Sequence, residues 1–286
     1  MTKLILLATY WNESEWIESS LKQIEALNPD LVILCDGCFD PSIKNYSTDI
    51  TREKLKEYVN NHNNSILFEA VRKPKLSGLS YILRRGLSKK VSFSLFYLVF
   101  KHLLRTNVYR VNQAVTFNMM LDEAISIVSE SNKANDDIWF MTIDADQFYS
   151  DEMIEKVANR TIFNTKSSLI TAKELTFNES FSSLNDEYEL RVWNNMPHKF
   201  YDYTLILPTR DISYIERFKV SKYFESLPTI SAGNYYHYKF RSDMKRYNDG
   251  YNLGDRKQPA GNRSKDIKPF SGEHPSIIKN LIKTRN

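Results

Sequence analysis

The chain of 286 residues is poor in several things, and each shortage closes off a class of protein. It has two cysteines, Cys35 and Cys38, spaced as C-x-x-C. A zinc site needs a second pair, so a structural zinc is excluded, and Cys35, which closes the apolar run of residues 31–34, reads as a buried thiol. No apolar run approaches the roughly 18 residues that a membrane-crossing helix requires. The longest candidate, 91–100, is about half that length and carries two serines. The opening Met1-Thr-Lys runs straight into the strand-like 4–7 without a leader's cleavage site, so a cytoplasmic protein with no transmembrane segment is expected. There is no internal repeat. Acid is absent from residues 71–121, which hold ten basic residues: Arg72, Lys73, Lys75, Arg84, Arg85, Lys89, Lys90, Lys101, Arg105 and Arg110.

What is present is the composition of a soluble globular protein, 42% hydrophobic and 26% charged. The net charge of +4 conceals a strong separation. Residues 71–121 carry +10 and residues 238–286 carry +7, which leaves −13 for the remainder. Two segments therefore face something anionic: nucleotide phosphates, lipid head groups or a polynucleotide.

The most informative stretch is Ile138-Trp-Phe-Met-Thr-Ile-Asp144-Ala-Asp146 followed by Ser150-Asp151-Glu152. A continuous apolar run that stops at a carboxylate reads as a strand buried on both faces, as in a parallel sheet. Ser150 is a suitable helix N-cap, with acids in the first turn. Asp144 and Asp146 then stand at the carboxyl edge of a sheet, where open α/β folds hold ligands. Two hard carboxylates there suit a divalent cation, and the cation suits a substrate phosphate.

Taken in order, residues 3–9 read as a first strand, with a helix opening at Asn12 or Ser14 and ending at Asn28-Pro29. Residues 31–35 form a second strand closed by Asp36-Gly37, 51–61 a helix and 65–70 a third strand. This is a right-handed βαβ arrangement. Residues 91–105 are apolar nearly all round with basic ends, either a core helix with snorkelling lysines or a helix lying on a membrane or partner. Residues 108–128 predict a long helix, with Val111, Val115, Met119, Leu121, Ala124, Ile125 and Val128 facing the core. Residues 169–177 and 201–207 read as further strands. Beyond residue 231, glycines among cations predict a mobile tail.

Thr9-Tyr-Trp-Asn12-Glu13, Asp36, Asn118-Met-Met-Leu121-Asp-Glu-Ala124 and Asp144-Ala-Asp146 together, in that order, resemble the motifs of family 2 glycosyltransferases of the GT-A fold. In the third motif Met120 replaces the family's glycine. The resemblance covers roughly residues 3–160. Tyr236-His237-Tyr238-Lys239 and Pro269-Phe-Ser-Gly272-Glu-His274-Pro275 are similar to C-terminal features of related enzymes. It implies an α/β, Rossmann-like, mainly parallel sheet flanked by helices. Residues 1–237 would be the nucleotide-sugar-binding and catalytic domain, 71–121 a basic, partly helical insertion, and 238–286 a cationic lid or tail.

The activity implied is transfer of a sugar from a nucleotide-diphosphate sugar to an acceptor hydroxyl with Mn2+ or Mg2+. Thr9, Tyr10, Asn12, Glu13, Asp36, Arg110, Gln113, Asn118 and Asp144 would serve the donor. Asp144 and Asp146 would hold the metal, with His237 completing its shell, and Lys239 and Arg241 would close over the diphosphate. For an inverting enzyme the general base is expected in Asp186-Glu187, with Glu187 preferred and Glu174, Glu179 and Glu189 as rivals. A retaining enzyme would need no such base.

The acceptor would be a surface glycan or lipid-linked sugar, with residues 72–110 on an anionic surface and the protein membrane-peripheral. Alternatively it would be hydroxylated bases of DNA, for which ten cations interleaved with aromatics also suit. A nucleotidyltransferase is disfavoured because Trp11-Asn12-Glu13 does not resemble a Gly-rich, Lys-containing loop. A non-catalytic sugar- or nucleic-acid-binding protein has no need of the Asp-x-Asp.

Overall fold

The computed structural model describes residues 1–43, 45–88, 107–131, 137–165, 169–177, 180–185, 198–199, 229–238 and 267–284. Its elements are β1 (Thr2–Tyr10), α1 (Ile17–Leu27), β2 (Leu31–Asp36), α2 (Thr51–Asn61), β3 (Ser65–Glu69), α3 (Lys75–Ser88) and α4 (Val108–Ser131). Then come β4 (Asp137–Asp144), β5 (Gln147–Tyr149), α5 (Asp151–Ala158), a 3-10 turn (Thr161–Phe163), β6 (Leu169–Phe177), β7 (Ser183–Asn185), β8 (His198–Lys199), β9 (Thr229–Tyr238), β10 (Ile267–Pro269) and α6 (Ser276–Lys283).

The strands form one sheet in the order β10-β7-β6-β8-β4-β1-β2-β3, with β9 beside β6 and β5 beside β9. From β3 through β2 and β1 to β4 the pairing is parallel throughout. This is the expected α/β, Rossmann-like sheet flanked by helices. The other half is mixed: β8, β7 and β10 join antiparallel, and β9 runs parallel to β6.

The apolar runs are continuous because each strand of the parallel half serves two cores at period 2. Leu4, Leu6 and Ala8 of β1, Val32 and Leu34 of β2, and Trp139, Met141 and Ile143 of β4 pack against α1 on one face. Ile5 and Leu7, Leu31, Ile33 and Cys35, and Phe140 pack against Phe117, Met120, Leu121, Ala124 and Val128 of α4 on the other. Met120, the departure from the family's glycine, is fully buried in that second core. Val111, Ala114 and Val115 of α4 also pack with Leu79 and Ile82 of α3. The two helices approach so closely at Gly78 that an added Cβ would lie 2.5 Å from Val111 Cγ1.

Several expectations need correction. The first helix starts at Ile17, not at Asn12 or Ser14. Asn12 has a φ of 54°, and the side chains of 47–51 bind this loop, with Ser47 Oγ accepting from Asn12 N at 2.9 Å and Thr51 Oγ1 from Glu13 N at 2.8 Å. Part of the expected tail, residues 267–284, packs on the rest of the chain. β10 pairs with β7, Ile278 of α6 is fully buried in the main core, and Asp151 Oδ1 caps Ser276 N at 2.9 Å. Within the acid-free segment, Arg85 is 7% exposed and forms an ion pair with Asp122 of α4. Arg72 is spent on the carbonyls of Asp40 and Ile43. The helix expected at 91–105 and the strand at 201–207 lie outside the described residues. Among the described residues, no helix is long and apolar enough to cross a membrane.

Candidate active site

β1 lies between β2 and β4. The chain runs outward from β1 to β2 and β3 on one side and then returns to place β4 on the other, and the crevice at such a switch point is where open α/β sheets bind ligands. At its carboxyl edge Thr9 is in register with Asp144 on one side and Cys35 on the other. Above it opens a small cleft lined by Thr9, Tyr10, Trp11, Gly37, Cys38, Phe39 and Tyr109. The Phe39 and Tyr109 rings meet edge to face, with centroids 5.3 Å apart. The Arg110 guanidinium lies 5.3 Å from the Tyr109 centroid and donates to Gln113 Oε1 at 2.9 Å. An aromatic-walled slot beside a cation has the chemistry to stack a nucleobase.

The Asp-x-Asp lies on the turn between β4 and β5. Asp144 is half-buried and accepts from Gln147 Nε2 at 3.3 Å. Asp146 is 6% exposed. Its backbone carbonyl accepts from Tyr238 N at 2.9 Å, because β5 pairs antiparallel with β9 and sets Gln147 opposite His237. That pairing brings His237, 91 residues away in sequence, to Asp146, with Nε2 3.4 Å from Oδ1. On its other side the ring's Nδ1 lies 2.8 Å from Glu174 Oε1. Ring orientation is thereby set: Nδ1–H donates to Glu174 and Nε2 faces the Asp146 carboxylate.

Gln23 of α1 holds the turn from behind. It is fully buried, donates from Nε2 to Gln147 O at 2.9 Å and accepts on Oε1 from Tyr149 N at 2.7 Å. Ser150 caps α5 as expected, its hydroxyl accepting from Met153 N.

The remaining expected residues separate into groups. Thr9, Arg110 and Gln113 stand near the cleft or at its rim. Tyr10 sends its ring into the core, where its hydroxyl meets Ser20 Oγ at 2.9 Å and burial pushes its pKa far up. Asn12 Oδ1 accepts from Thr48 N at 2.8 Å, and Glu13 is 2% exposed, so both belong to the loop packing between 12–14 and 47–51. Asp36 is fully buried at the end of β2. Its Oδ1 accepts from Ser47 Oγ at 2.6 Å and its Oδ2 pairs with Arg52 Nη1 at 2.9 Å, so a ribose or base contact there competes with partners already in place.

Asn118 is fully buried on α4 and donates to Ala114 O at 2.7 Å. Glu174, a rival for the general base, is 1% exposed in the sheet and already accepts from the Tyr235 and Thr176 hydroxyls. Glu187, Lys239 and Arg241 lie outside the described residues, as do Glu179 and Glu189. Sequence reasoning missed Gln23 and the binding role of Glu174. A glutamine among the apolar positions of an otherwise amphipathic helix was the available signal for the first.

No group of three or more His, Cys, Asp or Glu side chains able to hold a metal occurs among the described residues. Asp144 therefore does not join Asp146 and His237 in a three-ligand cluster. What fits a cation is the pair: a buried carboxylate oxygen and an imidazole nitrogen opposed at 3.4 Å, between which a divalent ion can replace a proton on Nε2. An oxygen and nitrogen donor set of this kind suits Mn2+ better than Mg2+, since imidazole is a borderline ligand.

No protein-family model matches the chain, and no curated protein matches it in sequence. Among solved structures it is similar to S. aureus TarS, with a TM-score of 0.41 and 13% identity over 86% of this chain. The chain spans only 38% of that one. It is also similar to glucosyl-3-phosphoglycerate synthase from Mycobacterium tuberculosis, in complex with Mn2+, uridine diphosphate and glucosyl-3-phosphoglycerate. There the TM-score is 0.42 with 10% identity, over 87% of this chain and 76% of that one.

Proposed function

We propose that this chain is a metal-dependent glycosyltransferase that moves a sugar from a nucleotide-diphosphate sugar to an acceptor hydroxyl. The observation that carries the reading is the opposition of Asp146 Oδ1 and His237 Nε2 at 3.4 Å, both side chains nine-tenths buried, at the end of a strand whose Asp144 is in register with Thr9 of the aromatic cleft. A buried carboxylate oxygen and an imidazole nitrogen at this separation share a proton or a divalent cation between them, and this reading takes the cation.

In this reading Trp11, Phe39 and Tyr109 stack and enclose the base of the donor. Arg110, fixed by Gln113, directs its charge towards the phosphates. Asp146 and His237 would hold Mn2+ or Mg2+, and Asp144 would reach it through water or bind the ribose hydroxyls. When bound, the cation supplies Lewis-acid neutralisation of the departing diphosphate. Lys239 and Arg241 are proposed as the closing lid and Glu187 as the base that takes the acceptor's proton. Bond making is at the anomeric carbon, where the acceptor oxygen replaces the diphosphate oxygen. The acceptor is proposed to be a surface glycan or lipid-linked sugar, approached through the basic segment 72–110 with the protein lying on an anionic surface.

The test is a thermal-shift panel of nucleotide-diphosphate sugars with and without Mn2+, repeated on Asp146→Asn. A ligand at 100 times its Kd adds roughly 2.7 kcal/mol to the folded state. One or more donors should stabilise the wild type in the presence of Mn2+, and the Mn2+ dependence should vanish in the variant. Stabilisation that ignores both Mn2+ and the substitution refutes the metal reading.

A further inference from the structure

β6 and β9 are parallel neighbours, and residues in register on adjacent strands project from the same face. Glu174 is in register with Tyr235, and Thr176 with His237, so the four side chains form a square on one face. At its corner Glu174, 1% exposed, accepts three hydrogen bonds. Oε1 receives the Thr176 hydroxyl at 2.8 Å and His237 Nδ1–H at 2.8 Å, and Oε2 receives the Tyr235 hydroxyl at 2.7 Å.

The square depends on one extra residue in β9. Between the pairs Thr171–Ser231 and Lys173–Asn234 that strand is one residue longer than β6, and Gly233 occupies the bulge with a φ of 120°. A bulge shifts the register by one, and a one-residue shift exchanges the two faces. Without it Glu174 would stand opposite Asn234, and His237 would project from the far side. Glycine suits the position because other residues rarely adopt that φ.

We infer that Glu174 is a positioning residue for His237. By accepting a hydrogen bond from Nδ1–H it holds the imidazole in the tautomer in which the proton stays on Nδ1 and Nε2 faces Asp146 as a ligand for a divalent cation. Tyr235 and Thr176 hold Glu174 in turn. This rests on the metal reading proposed above. Carboxylates behind metal-binding histidines act in this way, and their loss costs 10–100-fold in affinity.

Two readouts test the inference without any turnover. Long-range proton–nitrogen spectra of the metal-free protein report the His237 tautomer, and titration with Mn2+ alone, with free Mn2+ followed by electron paramagnetic resonance, reports affinity. Glu174→Gln keeps the shape but offers a weaker, neutral acceptor. It should shift His237 from Nδ1–H towards Nε2–H and weaken Mn2+ binding roughly 10–100-fold. Added to His237→Gln, the same change should cost less than about twofold, since its effect passes through that ring.

An unchanged tautomer, or a full penalty that persists in the His237→Gln background, overturns the positioning role. Should Glu174→Gln fail to fold, Tyr235→Phe decides. It removes one of three donors and leaves the carboxylate, and it must weaken Mn2+ binding only where His237 is present, an unchanged affinity overturning the role. Asp146→Asn separates the two readings. Loss of Mn2+ binding there with wild-type binding in Glu174→Gln sinks the positioning role alone, whereas unaltered binding in both Asp146→Asn and His237→Gln sinks the metal reading.

Discussion

Gln23→Leu is the substitution whose consequence the structure defines most sharply. The side chain is fully buried and bridges two residues of β5, donating to Gln147 O and accepting from Tyr149 N. Leucine keeps the volume and offers neither bond, so a buried carbonyl and a buried N–H lose their partner together. Each such group costs about 1–3 kcal/mol when left unsatisfied, hence about 2–6 kcal/mol for the pair. Whole domains are stable by only about 5–15 kcal/mol, so the upper end of that range would unfold a substantial fraction of molecules.

The damage should reach the site as well. Gln147 directly follows Asp146, and the Asp146 carbonyl is one of the points where β9 grips the turn. Urea unfolding should show the stability loss, and Mn2+ titration at low urea should show weakened binding in the molecules that remain folded. If Gln23→Leu falls within about 0.5 kcal/mol of the wild type, the level of an ordinary surface change, and binds Mn2+ equally well, the reasoning is wrong. β5 would then be held by its pairing with β9 alone.

Asp36→Ala removes the partner of Arg52 and of Ser47, and hydrogen bonds to charged groups contribute about 1.5–3 kcal/mol. It should therefore lower stability as well as donor affinity, and a calorimetric titration showing weaker nucleotide binding with unchanged stability would restore a direct-contact role. His274 is pushed below its ordinary pKa by burial, and its Nδ1 accepts from the Tyr238 hydroxyl. Since the folded pKa is the depressed one, this contribution to stability is present above the unfolded value near 6.5 and is lost as pH falls through the folded pKa. Denaturation midpoints measured from pH 7.5 to 4.5 should fall on acidification, and His274→Phe should flatten that slope, an unaltered profile in the variant counting against the assignment. Replacing Arg84, Lys89 and Lys90 by glutamine, with Arg85 spared because Asp122 already neutralises it, should leave donor binding intact. Binding to anionic vesicles should drop, whereas a flattening by up to about 3 units of the salt slope on duplex DNA would favour a polynucleotide acceptor instead.

How much of this was legible in the sequence depends on the range of the interaction concerned. The buried strands at 4–8, 31–35 and 138–143, the helix at 51–61 and the cap at Ser150 follow from local pattern: apolar continuity, helical spacing and a hydroxyl before two acids. Those signals are carried within a dozen residues, and they also suffice for the parallel pairing of the first strands, because short βαβ connections allow one handedness, whereas the place of β4 beside β1 depends on a long connection. The placement of Asp144 and Asp146 at a strand's carboxyl end follows for the same reason.

Other features depend on partners distant in the chain. Asn12 resembles a helix cap until Ser47 and Thr48 are seen to hold it in a left-handed turn, and Arg85 looks unneutralised until α3 packs on α4 and meets Asp122. The C-terminal residues look like a polar tail until β10 finds an edge of the sheet and α6 finds the core. His237, Glu174 and Gln23 converge on the Asp146 turn only through pairings that span 63 to 126 residues. There, register decides. Because side chains alternate between faces, the single extra residue at Gly233 turns His237 towards the site, and no local pattern records which strand it will be counted against.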